Sequence, residues 1–231
     1  MKHALVLFSG GLDSTTALYW AIEKYEHVHA LTFDYGQRHR IELDSSQKIT
    51  ENLNIPQKML RIDLQQIGGS SLTDPATPLL PFEPSVSEKD GPPSTYVPFR
   101  NGIFLALAAA WAEVRGYTEI VCGFHVLDSP DYPDTREEFV KAMEEAINQG
   151  SRASYSQRRI NIRAPFLEMN KAEIITKGLS LGADYSYSVS CYAGTEIPCG
   201  ECAACRIRQN AWEKIGAEDP LLLRIKKEGE R

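Results

Sequence analysis

The chain has 231 residues, 42% of them hydrophobic and 24% charged, with a formal net charge of −6 at pH 7. That length suits one large domain, or a core domain with a small appendage, and the acidic balance disfavours a broad nucleic-acid-binding face, which needs a basic surplus. No apolar run reaches the ~20 residues of a membrane span, and the opening segment is too short for a signal peptide with its cleavage site, so a cytoplasmic protein is expected.

The first element is a strand, because His3–Phe8 (HALVLF) is apolar nearly throughout, as strands buried on both faces are. It runs into SGGLDST, after which Ser14–Tyr25 reads as a helix. Val28–Phe33 is a second strand, Gln37–Leu53 a polar, periodic helix and Lys58–Leu64 a third strand. This alternation predicts an α/β fold: a parallel, twisted sheet flanked by helices. Residues 74–98 hold seven of the 13 prolines and read as one long loop, since proline fits neither helix interiors nor central strands. A helix follows from Asn101, and its alanine- and leucine-rich run GIFLALAAAWAEV predicts burial. Glu119–Cys122 is a short strand ending at Gly123, Thr135–Gln149 a charged amphipathic helix and Asn161–Ala164 a strand. Asn170–Leu181 carries helix signals at both ends: Asn170 as N-cap, Glu173 at the capping-box position and Gly182 just past the end. A last helix spans Ala204–Ile215.

A buried strand that stops at Ser9-Gly10-Gly11 and turns into a helix at Ser14 presents backbone N–H groups at a helix N-terminus. Glycine lets an anion approach the backbone, the helix dipole favours negative charge there, and Ser9, Ser14 and Thr15 add hydroxyl donors. Asp13 is the unusual member of such an anion site. It makes sense as a holder of Mg²⁺ that bridges phosphate oxygens. Arg38 and Arg100 are cations near the strand ends, where α/β sheets bind ligands, and planar guanidinium suits carboxylate and phosphate. Asn101 is placed to cap its helix or to contact a nucleotide. Tyr35, Phe99 and Tyr132 are aromatic groups able to stack on a purine-like ring.

The string SGGxDS(T/S) resembles the pyrophosphate loop of the N-type ATP pyrophosphatases and differs from the G-x-x-x-x-G-K-[ST] loop, since no lysine follows the glycines. Four further stretches narrow the resemblance: FDYGQRH (Phe33–His39), TYVPFRN (Thr95–Asn101), DSPDYPDTREEFVKA (Asp128–Ala142) and SCYAGTEIPCGECAACRIRQNAW (Ser190–Trp212). Together they resemble the 7-cyano-7-deazaguanine synthase family over nearly the whole chain. The resemblance implies an adenine-nucleotide-α-hydrolase-like sheet and ATP cleavage to AMP and pyrophosphate. It also implies ATP-dependent conversion of 7-carboxy-7-deazaguanine and ammonia to the nitrile. In that reading ATP sits on Phe8, Ser9, Gly10, Gly11, Asp13, Ser14, Thr15 and Asn101. Asp13, Arg38 and Arg100 serve the chemistry. Tyr35, Phe99, Asp128, Tyr132, Asp134 and Arg136 meet the substrate. Where the commonest family pattern reads Gly-Tyr-Pro-Asp-Cys, this chain has Asp131 and Thr135 at the outer positions. Those departures keep open a paralogue that joins a deazaguanine carboxylate to a protein amine. A non-catalytic nucleotide-binding module is the reading from another class. No glutaminase triad is evident, so free ammonia is the expected nitrogen source, and a homodimer is compatible with the sequence.

Cys191, Cys199, Cys202 and Cys205 have the spacing C-x7-C-x2-C-x2-C. Four clustered thiols in a cytosolic chain point to metal rather than disulfides. The spacing suits a tetrahedral four-cysteine zinc site and also resembles iron–sulfur spacing. Zinc agrees with redox-neutral ATP chemistry and with what the family resemblance implies. The expected organisation is an ATP-binding α/β domain over residues 1–185 and a zinc-bearing loop and helix over 186–231. Cys122, within a strand, reads as a small buried hydrophobe.

Overall fold

The computed structural model describes residues 3–80, 91–126, 132–156 and 158–230. Five strands, β1 (His3–Leu7), β2 (His27–Asp34), β3 (Gln57–Arg61), β4 (Glu119–Val121) and β5 (Asn161–Arg163), form one sheet in the order β3-β2-β1-β4-β5. All neighbours pair in parallel. The helices are α1 (Leu12–Lys24), α2 (Ile41–Asn52), α3 (Arg100–Arg115), α4 (Glu137–Gly150), α5 (Lys171–Ser180), α6 (Ala203–Ile215) and α7 (Pro220–Gly229). The α/β reading and its element order therefore hold.

Strand β1 shows why the sheet is covered twice. Its successive side chains point to opposite faces. Ala4, Val6 and the following Phe8 join one apolar cluster with residues of α1, α5 and α6, including Leu18, Ile175 and Trp212. Leu5 joins a second cluster with Leu31, Phe33 and the α3 residues Leu105, Ala108 and Ala112. A strand buried on both sides must be apolar at every position, and HALVL is nearly so.

The chain runs outward from β1 to β2 and β3, then crosses back to β4 and β5 on the other side. That reversal between β1 and β4 is a switch point, and the segments leaving the two strands diverge there to open a crevice.

Two expectations are corrected. Helix α3 is buried on one face only: Leu105, Ala108 and Ala112 are inside, while Val114 is 79% exposed. Its alanines supply helix propensity at solvent-facing positions as well as packing. The structure also adds a helix, α7, after the one expected to be last. It starts with Pro220 after Asp219, whose side chain caps it by accepting from the Leu221 N–H. Within α5 the expected capping box forms in full, with Asn170 accepting from the Glu173 N–H (3.1 Å) and Glu173 accepting from the Asn170 N–H (2.8 Å).

Candidate active site

A cavity of about 290 Å³ opens at the switch point. The loop after β1 forms one wall. Gly10 has φ +87, a left-handed value that favours glycine, and an added Cβ would stand 2.7 Å from the Glu42 carbonyl oxygen. The loop therefore lies directly on the first turn of α2. Gly11 precedes α1 with no side-chain cap, so the N-terminus of α1 faces the cavity through backbone N–H groups. Phe8, Ser9, Gly11, Asp13 and Ser14 all line it. Ser9 and Ser14 bring their hydroxyls within 3.2 Å of each other. Gly10 and Thr15 do not reach the lining. Thr15 is fully buried and donates to the Gly11 carbonyl (2.9 Å), so it shapes the loop from behind.

Asp13 is the electrostatic centre of this wall. Lys171, the first residue of α5, donates to both of its carboxylate oxygens at 2.6 Å. Lys171 also reaches His125 Nε2 at 3.0 Å, and His125 Nε2 stands 3.5 Å from Asp13. Burial by itself raises the Asp13 pKa, but the Lys171 ammonium and His125 outweigh it and hold the carboxyl well below the usual range. Both oxygens are thus engaged by Lys171, and Asp13 does not present the open carboxylate expected of a Mg²⁺ holder.

On the opposite wall Arg100 donates to the Tyr35 hydroxyl at 3.2 Å and lies over the Tyr35 and Phe104 rings. Among the described residues it has no carboxylate within ion-pair distance. A cation turned toward a cavity without a carboxylate at contact distance can receive an anion there. Tyr35, Asn101, Tyr132 and Thr135 also line the cavity.

Other sequence-derived residues fall elsewhere. Arg38 does not line the cavity. Its Nη2 donates to the carbonyls of Asp74, Pro75 and Thr77 at 3.2–3.3 Å, so it pins the start of the proline-rich loop. Phe99 sits at the N-cap of α3 with φ 52, is 52% exposed and packs its ring on Phe139. Asn101 is one residue inside α3, not its cap. Asp134 does the capping from outside: it accepts from the Asn101 N–H at 3.0 Å, and its carbonyl accepts from the Asn101 amide at 3.1 Å. Asp134 thereby positions α3 and is absent from the cavity lining. Arg136 is the N-cap residue of α4 and is likewise absent from the lining. Asp128 and Asp131 lie outside the described residues.

The four C-terminal cysteines converge. Their sulfurs all lie within 4.8 Å of one another, with Cys199 and Cys205 at 3.9 Å. Four sulfurs about 2.3 Å from a tetrahedral zinc stand about 3.8 Å apart, so the set fits a four-cysteine metal site. The Cys199 N–H donates to Cys191 Sγ (3.3 Å) and the Cys202 N–H to Cys199 Sγ (3.4 Å). This element abuts the phosphate loop. The Val189 N–H donates to the Gly10 carbonyl at 3.1 Å. Arg208 on α6 forms a two-pronged ion pair with Asp219 (2.5 and 2.8 Å), and its Nη1 donates to the Ser188 carbonyl at 2.9 Å.

Lys171, His125, His39, Glu42, Tyr192 and Arg208 line the cavity without having stood out in the sequence. Lys171 did carry a signal. A lysine opening a helix opposes the helix dipole, and such a mismatch asks for an anionic partner.

The profile of the family described as "Queuosine biosynthesis protein QueC" matches residues 3–216. The chain belongs to the QueC family. Among curated relatives, the 7-cyano-7-deazaguanine synthase of Thermoplasma acidophilum is 43% identical over 220 residues, covering 95% of this chain and 91% of that protein. The enzyme of the same name from Persephonella marina is 43% identical over 219 residues, 94% of each. Among solved structures, a 4-thiouridine synthetase in complex with RNA and ATP superposes with a TM-score of 0.52 at 17% identity, over 93% of this chain and 50% of that one. That likeness is one of fold.

Proposed function

We propose that this QueC-family chain is an ATP-dependent 7-cyano-7-deazaguanine synthase, acting in the cytoplasm on 7-carboxy-7-deazaguanine and ammonia. The observation that carries the reading is one cavity with a glycine loop at a helix N-terminus on one wall and, on the other, an arginine with no carboxylate within ion-pair distance among the described residues. In this reading ATP lays its phosphates along Ser9, Gly11 and Ser14 at the N-terminus of α1, arriving as its Mg²⁺ complex, which screens phosphate charge. Arg100 holds the carboxylate of the deazaguanine acid against the α-phosphate. Lys171, fixed by Asp13, places an ammonium beside the charge that develops as pyrophosphate leaves. The acid's oxygen attacks the α-phosphorus and pyrophosphate departs. Ammonia then displaces AMP to form the amide. A second ATP adenylates the amide oxygen, and loss of AMP with the remaining nitrogen-bound protons gives the nitrile. Zinc is the metal we assign to the four cysteines. Bound there it supplies structural cross-linking, because all four ligand positions are protein sulfurs.

The test is to incubate the protein with 7-carboxy-7-deazaguanine, ATP, Mg²⁺ and ammonium and to follow the purine by mass spectrometry. Sequential appearance of amide and nitrile supports the reading. An acid that remains unchanged while AMP appears only when a partner protein is added would replace it with the conjugating paralogue.

A further inference from the structure

Two charges with no fixed opposite charge within ion-pair distance among the described residues face this cavity, and they have opposite sign. Arg100 is the cation. The anion is Glu42, in the first turn of α2. Its side chain is 13% exposed, and its only hydrogen-bond or ion-pair partner among the described residues is His39, whose Nε2 stands 3.3 Å from Glu42 Oε2. No lysine or arginine among the described residues neutralises it, unlike Asp13, whose two oxygens both carry Lys171. Its other oxygen, Oε1, is 3.9 Å from the Cβ position of Gly11, so it lies beside the phosphate loop. A mostly buried carboxylate without a cation is costly unless a cation is bound there in the working state.

The two histidines of the cavity are also held in opposite ways. His39 sets Nε2 3.3 Å from Glu42 Oε2, and its buried Nδ1 has no hydrogen-bond partner among the described residues. His125 instead sets Nε2 between Lys171 Nζ at 3.0 Å and Asp13 Oδ2 at 3.5 Å. The Glu42–His39 pair thus has no lysine or arginine partner among the described residues, while the Asp13–Lys171–His125 group carries its own fixed cation. Tyr35 and Tyr192 set their rings 6.4 and 6.0 Å from His39. Aromatic walls beside a carboxylate suit a small soft cation. They suit Mg²⁺ poorly, since it demands octahedral oxygen ligands and keeps its water.

We propose that Glu42 is the ammonium-binding residue and proton acceptor of the amide-forming step, with His39 as the residue that orients it. This rests on the synthase reading above. Ammonia is mostly protonated at neutral pH and has no lone pair to attack with until a proton leaves. Glu42 Oε1 takes one proton from ammonium. The freed lone pair forms the C–N bond at the acyl carbon, and the C–O bond to AMP breaks with its electrons on the phosphate oxygen. The second nitrogen-bound proton passes from the adduct to solvent, leaving the amide. The cavity thus receives the acid at Arg100 and the amine at Glu42, each by charge complementarity.

The experiment compares wild type, Glu42→Gln and Glu42→Asp in two assays: acid-dependent exchange of labelled pyrophosphate into ATP, which needs no amine, and product formation with ammonium or with hydroxylamine. Hydroxylamine is largely uncharged at neutral pH and needs no proton removed before it attacks. The expected result for Glu42→Gln is a split. Ammonium-dependent turnover falls about 100-fold or more with a raised KM for ammonium, pyrophosphate exchange falls less than about fivefold, and hydroxamate formation stays near the wild-type rate. Glu42→Asp keeps the charge and recovers part of the ammonium activity. If exchange, ammonium turnover and hydroxamate formation fall together, Glu42 is structural. If exchange falls first and returns at raised Mg²⁺, it is a metal ligand. Either outcome overturns the proposal. Should Glu42→Gln not fold, Glu42→Asp with His39→Leu reads the same split, because loss of the orienting histidine raises the KM for ammonium while sparing exchange. A wild type that shows no acid-dependent exchange refutes the synthase reading itself, a different failure.

Discussion

The phosphate-loop wall and the cysteine element meet at one hydrogen bond, from Val189 N–H to the Gly10 carbonyl, yet they are held in contrasting ways. The loop springs from a strand buried on both faces and rests on clusters that run through the whole sheet. The cysteine element has a small core of its own: Val189, three of the four cysteines and Leu221. A core that small stabilises little, so besides the packing of Ala211 and Trp212 on the sheet's cluster the element leans on the metal proposed for the four cysteines and on the Arg208–Asp219 pair. A site assembled from both can lose one wall while the other stays folded.

The largest expected effect tests that asymmetry. Cys202→Ser, or stripping metal with a strong chelator, removes binding energy that is folding energy, on the order of 10 kcal/mol for structural zinc. Protease should then cut within residues 186–231 while a sheet-bearing fragment persists. Uniform digestion of the entire chain would show that the two regions fold as one unit. Metal analysis of untreated protein should give about one zinc per chain, and an iron–sulfur absorption band would change the assignment.

Next in size is the loop's ion pair. Lys171→Ala should lower turnover by roughly 10²–10³-fold if its charge faces the leaving pyrophosphate. It should also cost stability in a pH-dependent way. The Asp13 pKa is depressed in the folded state, so the pair's contribution is present above the unfolded value near 3.9 and is lost as pH falls through the folded one. Urea midpoints of wild type and variant should therefore differ at neutral pH and converge in acid. A constant gap would mean that Lys171 acts through packing alone.

Gly10→Ala comes third. It adds a left-handed strain and a Cβ at 2.7 Å from a backbone oxygen, costing about 1–3 kcal/mol. Calorimetry should show a lowered Tm, with the KM for ATP raised as the loop shifts. Smallest is Asp134→Ala, which takes the outside cap from α3 and should cost about 1 kcal/mol. An unchanged Tm would show that the cap is redundant.

What was legible in the sequence follows the same contrast. Contiguous chemistry was readable. HALVLF followed by SGGLDST announced a buried strand and a glycine loop at a helix N-terminus, and the four cysteines announced their own convergence, because each is written in one stretch. Chemistry assembled across the fold was not. Asp13 meets Lys171 across 158 positions, and only packing of α5 on α1 brings them together. Arg38 and Arg100 looked equivalent as lone arginines near strand ends. The fold turned one onto loop carbonyls and the other into the cavity. Asp134 sits in a substrate-like string but caps a helix, since a carboxylate serves a helix N-terminus as readily as a ligand. Helix α7 was missed because PLLLRIKKEG is short and mixed, and its start is fixed by Asp219, whose partner Arg208 lies on another helix.

The central claim is that this cavity cleaves ATP between its α and β phosphates to drive a carboxylic acid to a nitrile. Phosphorus-31 NMR of a reaction run to completion with limiting 7-carboxy-7-deazaguanine and excess ATP and ammonium tests it most directly. The account expects two AMP and two pyrophosphate for each nitrile formed. ADP and inorganic phosphate, or nucleotide cleavage unlinked to loss of the acid, would contradict it.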